Sequence, residues 1–129
     1  MKQAGDILVI DDDFTSRYLV KSLLTMLGVS GQILTATNGR EALALFKERS
    51  EAGHFTKLVL LDLVMPEADG FDFLDGLASL EQVNRMGTKI AVLSYYGSRN
   101  FRERASLYSI NAYFQKPLTE EKLHEVLDF

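Results

Sequence analysis

Apolar and polar positions along this chain follow two alternating patterns. Short continuous apolar runs (Ile7-Leu8-Val9-Ile10, Leu58-Val59-Leu60-Leu61 and Ile90-Ala91-Val92-Leu93) read as strands covered on both faces, as in a parallel sheet. Between them, apolar residues recur at helical spacing. The patterns predict strands over Asp6 to Ile10, Gln32 to Ala36, Lys57 to Leu61, Lys89 to Leu93 and Ala112 to Gln115. They predict helices over Thr15 to Leu27, from Asn38-Gly39 to about Arg49, over Phe71 to Leu80, Ser98 to Tyr108 and Thr119 to Leu127. The expected inner faces are Leu19, Leu23, Leu24 and Leu27 on the first helix, Ala42, Leu43 and Phe46 on the second, and Phe71, Leu74 and Leu77 on the third. Gly28 suits the residue just past a helix end. Gly76 weakens the third helix. Thr119 suits an N-cap, with Glu120 and Glu121 placed well in the turn that follows.

Five strands alternating with five helices predict a doubly wound α/β domain of flavodoxin-like three-layer type, with strand order 2-1-3-4-5 as one of the common solutions. That order sets the first and third strands side by side. The first runs into Asp11-Asp12-Asp13, the third into Asp62, and chemistry on an open parallel sheet gathers past the carboxyl ends of its strands. Two carboxylates about 4 Å apart repel by roughly 4 kcal/mol at an effective dielectric near 20. A hard divalent ion such as Mg²⁺ relieves that repulsion. The same edge receives the hydroxyl of Ser94 and the ammonium of Lys116, which is followed by Pro117. A lysine suits phosphate, a hydroxyl can donate to a phosphoryl oxygen, and an aspartate can act as a nucleophile and become an aspartyl phosphate. Phosphoryl transfer asks mainly for positioning and charge neutralisation.

Composition narrows the classes without changing this picture. A chain of 129 residues suits one domain, 1–129, and 47% hydrophobic with 25% charged residues is ordinary for a globular protein. The net charge of −4 argues against a nucleic-acid surface. The chain contains no cysteine, which excludes disulfides and thiolate metal sites and is compatible with a reducing cytoplasm. No long apolar N-terminal segment of signal-peptide type is visible, and no stretch nears the roughly 20 apolar residues that span a bilayer.

With these residues in place the whole chain resembles the response regulator receiver domain of bacterial two-component signalling. The matching motifs are the acidic pair Asp11 and Asp12, the D-x-x-M-P-x-x-D-G box (Asp62, Met65, Pro66, Asp69, Gly70), Ser94 after strand four, the aromatic Tyr113 in strand five, and the pair Lys116-Pro117. The resemblance implies Asp62 as phosphoacceptor and Mg²⁺ held by Asp11, Asp12, Asp62 and the backbone carbonyl of Val64. It implies Lys116 paired with the phosphoryl group, and Ser94 and Tyr113 as switch residues, Tyr113 swinging inward behind Ser94. It implies a cis Lys116–Pro117 peptide. The implied partners are a sensor histidine kinase or histidine phosphotransfer protein and a downstream target or output domain, met on the surface of helix four, strand five and helix five. A phosphorylation-dependent homodimer is compatible with it. Such a domain is a cytoplasmic acceptor rather than a turnover enzyme.

Departures from the pattern and rival readings accompany the resemblance. Tyr95 follows Ser94 where a small residue is usual, which could narrow access to Asp62. Val64 is apolar where polar side chains are frequent, so self-dephosphorylation should be slow, and Val64→Asn should shorten the acyl-phosphate half-life. The short last helix, ending near Phe129, is compatible with a lone domain or a piece of a longer protein. Asp11-Asp12-Asp13-Phe14-Thr15 also reads as the D-x-D-x-T motif of haloacid-dehalogenase-type phosphatases, with Asp11 as nucleophile. A phosphorylation-independent interaction domain of the same fold is the other alternative. More plainly, Asp13 reads as a helix cap, Tyr113 as a core-edge aromatic, His54 and His124 as surface or packing residues, and Arg99, Arg102 and Arg104 as a solvated helix face with Tyr95, Tyr96 and Phe101 nearby.

Overall fold

The computed structural model describes residues 5–63, 70–80, 87–94 and 99–127. Val64, Met65, Pro66, Asp69, Tyr95, Tyr96, Ser98 and Phe129 lie outside the described residues, as do the side chains of Arg99 and Phe101. In chain order the elements are β1 (Asp6–Ile10), α1 (Phe14–Met26), β2 (Ile33–Ala36), α2 (Gly39–Glu51), β3 (Thr56–Asp62), α3 (Gly70–Ala78), β4 (Lys89–Ser94), α4 (Arg99–Ala105), β5 (Ala112–Gln115) and α5 (Glu120–Leu127). The five strands form one parallel sheet in the order β2-β1-β3-β4-β5.

The two-residue period of a strand explains why these runs are apolar throughout. Leu8, Ile10, Val59, Leu61, Ile90 and Val92 face one side and pack with residues of α2, α3 and α4, including Ala42, Phe46, Phe71, Leu74 and Ala105. Ile7, Val9, Leu58, Leu60, Ala91 and Leu93 face the other and pack with Val20 and Leu24 of α1 and with Leu123 and Val126 of α5. The sheet is therefore the middle of three layers. The middle of each central strand is apolar because neither face meets water, and the polar residues stand at the strand ends.

Several element ends and faces differ from the periodicity. Leu19 is 59% exposed, and Val20 takes its place in the core beside Leu24. A helix stripe wide enough to contain both can be rotated by one residue, and packing against β1 and β5 selects Val20. Phe73, outside the expected stripe of α3, is fully buried and meets Phe46 edge-on with ring centroids 6.4 Å apart. The helix is thus covered by α2 as well as by the sheet. Gly76 makes that second contact achievable, because a Cβ there would stand 2.3 Å from Leu43 Cδ2. Its cost to helix propensity is exchanged for close helix packing. Helix α2 runs two residues past Arg49. Helix α4 stops at Ala105, short of Tyr108, because the following N–H groups tighten onto carbonyls three residues back: Leu107 to Arg104 and Tyr108 to Ala105.

Candidate functional site

Parallel register decides what meets at the carboxyl edge of the sheet. Ile10 pairs with Leu61, so the next residues on each strand, Asp11 and Asp62, emerge side by side. Asp62 in turn pairs with Leu93, which places Ser94 one step further along the same edge. Ser94 pairs with Gln115, and its carbonyl accepts from the Lys116 N–H at 2.7 Å. Four separate segments thus deliver their chemistry to one spot. Asp11, Asp12 and Asp62 each offer a carboxylate oxygen, all within 4.8 Å of one another. Asp11 is 3% exposed and Asp62 8%, whereas Asp12 is open to solvent. Ser94 is buried.

Lys116 reaches into this cluster. Its Nζ donates to Asp11 Oδ2 at 2.7 Å and to Asp62 Oδ2 at 3.3 Å. Burial alone would lower the lysine pKa, but the hydrogen bond to Asp11 and the charges of Asp62 and Asp11 outweigh it and leave it above its ordinary value. The ammonium stays charged at neutral pH. The Lys116–Pro117 peptide is cis. Lys122, one turn into α5, holds the backbone around this residue by donating to the carbonyls of Gln115 at 2.6 Å and Pro117 at 3.1 Å.

The loop after β1 is just as firmly tied. Asp11 Oδ1 accepts from the Asp13 N–H at 3.0 Å. Asp13 is the N-cap of α1 and accepts from the Ser16 N–H at 3.0 Å. Arg17, one turn later, donates from Nη1 to the Asp11 carbonyl at 2.8 Å. After β3, the Gly70 N–H closes back onto the Leu63 carbonyl at 3.1 Å. A Cβ at Gly70 would lie 2.6 Å from the Asp62 carbonyl oxygen and 2.7 Å from Leu63 Cα. Only glycine lets α3 begin this close to the acidic residue, which gives the last position of the D-x-x-M-P-x-x-D-G box a steric reason.

The chemistry of the cluster follows from its charge. Three carboxylates face one ammonium among the described residues, leaving two negative charges in a half-buried, all-oxygen donor set. This fits a hard divalent cation and no soft one. Of the three carboxylates, Asp12 is the one exposed to solvent.

Asp11, Asp12, Asp62 and Lys116 come together directly, and Ser94 sits on the same edge. Tyr113 stands on β5 beside Val92 of β4, two residues before the Gln115 that pairs with Ser94, with its hydroxyl buried. His54 is exposed, and His124 makes only a loose surface pair with Glu120 at 3.4 Å. Arg17 and Lys122 were not singled out from sequence. Arg17 could have been found by its place one turn into the helix that leaves the acidic pair. Lys122 carried no such signal, since its partners are backbone atoms at another element's end. Asp11 has both carboxylate oxygens engaged, by Asp13 and Lys116, which does not favour it as an attacking group.

Comparison with known proteins agrees with this geometry. A family model described as the response regulator receiver domain matches residues 7–128. The probable chemotaxis protein CheY of Rhizobium etli is 30% identical over 122 residues, covering 95% of this chain and 88% of that protein. The probable transcriptional regulator ycf27 of Porphyra purpurea is 38% identical over 69 residues, 54% of this chain but 26% of that protein. Among solved structures, the chemotaxis protein CheY4 of Vibrio cholerae superposes with a TM-score of 0.80 at 25% identity, over 97% of both chains. None of these matches favours the phosphatase reading.

Proposed function

Since the chain belongs to the response regulator receiver family, we propose that it acts by accepting a phosphoryl group on Asp62 from a phosphohistidine donor. The observation that carries this reading is the buried Lys116 Nζ lying between the Asp11 and Asp62 carboxylates, at 2.7 and 3.3 Å, within an acidic cluster whose third member, Asp12, is exposed.

In this reading an Asp62 carboxylate oxygen forms a bond to phosphorus as the phosphorus–nitrogen bond of the donor breaks. The electron pair of the broken bond leaves with the donor's imidazole. Lys116 exchanges its contact with Asp62 for one with the incoming phosphoryl oxygens, and its charge is already in place before the donor arrives. Ser94 donates its hydroxyl to a phosphoryl oxygen once transfer is complete. Arg17 and the Asp13 cap keep the Asp11–Asp12 turn from yielding while charge builds up. Asp11, Asp12 and Asp62, with the Val64 carbonyl, would hold Mg²⁺, whose charge offsets that of the cluster and the phosphoryl group.

Phosphorylated Asp62 adds charge and acceptor oxygens that Ser94 and Lys116 follow. The inward position of Tyr113 behind Ser94 is stabilised, and the surface of α4, β5 and α5 changes its population of arrangements. The donor is a sensor histidine kinase or a histidine phosphotransfer protein, and the reader is a downstream protein or output domain. The exchange belongs in the cytoplasm, where ATP-fed kinases work. The domain takes one phosphoryl group per cycle and does not turn over a substrate of its own.

The test is phosphorylation with acetyl phosphate and Mg²⁺, read by intact mass and acyl-phosphate lability. Wild type and Asp11→Asn should differ in rate, and Asp62→Asn should gain no mass. Steady hydrolysis of phosphate monoesters that depends on Asp11 and survives Asp62→Asn would overturn the proposal.

A further inference from the structure

Tyr113 combines two observations that need a common explanation. Its hydroxyl is fully buried and has no hydrogen-bond partner among the described residues. An orphaned buried hydroxyl is costly, and native proteins retain one only where something else holds it in place. On the solvent side of the ring lies Arg102 of α4, with its guanidinium carbon 5.3 Å from the ring centroid. Arg102 is itself exposed, so it keeps its hydration on one face while covering the ring with the other.

The rest of α4 is fastened on its other side, to α3. Arg104 stacks on the Phe71 ring at 3.9 Å, and the Tyr108 hydroxyl donates to Asp75. The Tyr108 ring also meets Phe71, with centroids 6.1 Å apart. Among the described residues, α4 is thus fixed toward α3 by Arg104 and by Tyr108 in the turn that follows it, and toward β5 by Arg102. The Arg102 contact can give way without detaching α4 from α3.

We propose that Arg102 is a positioning residue that holds Tyr113 inward before any phosphorylation. The stacking contact offsets the cost of the orphaned hydroxyl and sets how readily the domain enters its phosphorylated arrangement. This deepens the reading given above and rests on it for the direction of the effect: if the inward ring belongs to the phosphorylated arrangement, Arg102 biases the resting protein toward it.

The test uses the full chain in three variants: Arg102→Ala, Arg102→Gln (which keeps a planar polar end without charge) and Lys21→Ala, an exposed change of equal charge on α1. Two readouts are needed. The first is the ring resonance of Tyr113 in ¹³C-tyrosine-labelled protein without phosphodonor, assigned by its loss in Tyr113→Phe. The second is the beryllium fluoride concentration that half-saturates the Mg²⁺-loaded protein. Both Arg102 variants should shift the Tyr113 resonance toward a solvent-exposed value and raise the half-saturating concentration about two- to fivefold, the factor that an exposed cation–π contact converts to. Lys21→Ala should do neither. Tyr113→Phe, by removing the orphaned group, should raise the melting temperature of the resting protein.

An unmoved Tyr113 resonance in both Arg102 variants overturns the proposal, as does a lowered melting temperature in Tyr113→Phe, which would mean that the hydroxyl has a partner. If wild type takes up no beryllium fluoride, the phosphoacceptor reading fails. The resonance in the resting protein still decides whether Arg102 holds the ring.

Discussion

The two ends of the same sheet treat buried charge in opposite ways. At the amino edge the buried ionic groups Asp6 and Lys57 are each engaged by the protein itself. Asp6, 5% exposed at the start of β1, receives Arg49 in a two-pronged contact, Nε at 2.7 Å and Nη2 at 3.0 Å. Lys57, at the start of β3, spends its ammonium on the Ser30 carbonyl at 2.8 Å. At the carboxyl edge, three carboxylates share one lysine. The amino edge ties α2 and the β2 approach to the sheet through these contacts. Among the described residues the carboxyl edge keeps an excess of two negative charges, which suits a cation from outside. Burial of charge alone does not mark a functional site in this domain. A cluster of like charges at the carboxyl ends of the strands does.

Substitutions at the two edges should therefore separate function from stability. The largest effect expected is on acceptor chemistry: Asp62→Asn should lower phosphorylation by acetyl phosphate to background, whereas Asp6→Asn should leave its rate unchanged. The stability effects should run the other way. Breaking the two-pronged pair by Asp6→Ala leaves Arg49 without its partner and should lower the melting temperature by several degrees, seen in a thermal scan in chelator. An Asp6→Ala protein that melts like wild type would show that the amino edge is not held by this pair.

A smaller effect sharpens the charge argument. Adding Mg²⁺ should raise the melting temperature of wild type, by the equivalent of about 1.4 kcal/mol at tenfold excess over the dissociation constant. Asp12→Asn should lose most of that gain. In chelator the same variant should melt above wild type, because one member of a repelling cluster has gone. If Asp12→Asn is less stable than wild type in both conditions, the cluster is not under electrostatic strain.

The smallest expected effect is at alkaline pH. The Tyr108 hydroxyl is held protonated above its ordinary range, chiefly by its hydrogen bond to Asp75 and then by burial, and the Lys116 pKa is also raised. A group whose pKa is higher folded than unfolded binds more protons in the native state over that interval. Its contribution is therefore complete below the unfolded value, near pH 10 for both types, and fades as pH rises through the folded one. Stability should be level through neutral pH and decline above about pH 10. Tyr108→Phe should make that decline shallower, measured by denaturant midpoints across the range.

The strands were legible because a sheet covered on both faces writes itself as unbroken Val, Ile and Leu. The acidic cluster was legible because each of its members ends such a run. What stayed hidden involves choices made between elements. Leu19 and Val20 occupy neighbouring places on one stripe, and periodicity cannot say which of them the sheet will accept. Phe73 is buried because α3 has a second neighbour, a fact absent from the helix's own pattern. Asp6 and Arg49 are 43 residues apart, and nothing local links them. The orphaned hydroxyl of Tyr113 and its cover by Arg102 depend on how α4 lies over β5. No spacing along the chain encodes that.

The place of β5 at the rim of the sheet has one more consequence. Helix α4 lies over one face of that rim and α5 over the other, each rooted in a different half of the interior. A displacement of α4 thus need not drag α5 along. A protein that grips both helices senses the angle between a moving wall and a fixed one, as a caliper does, rather than the location of either wall alone.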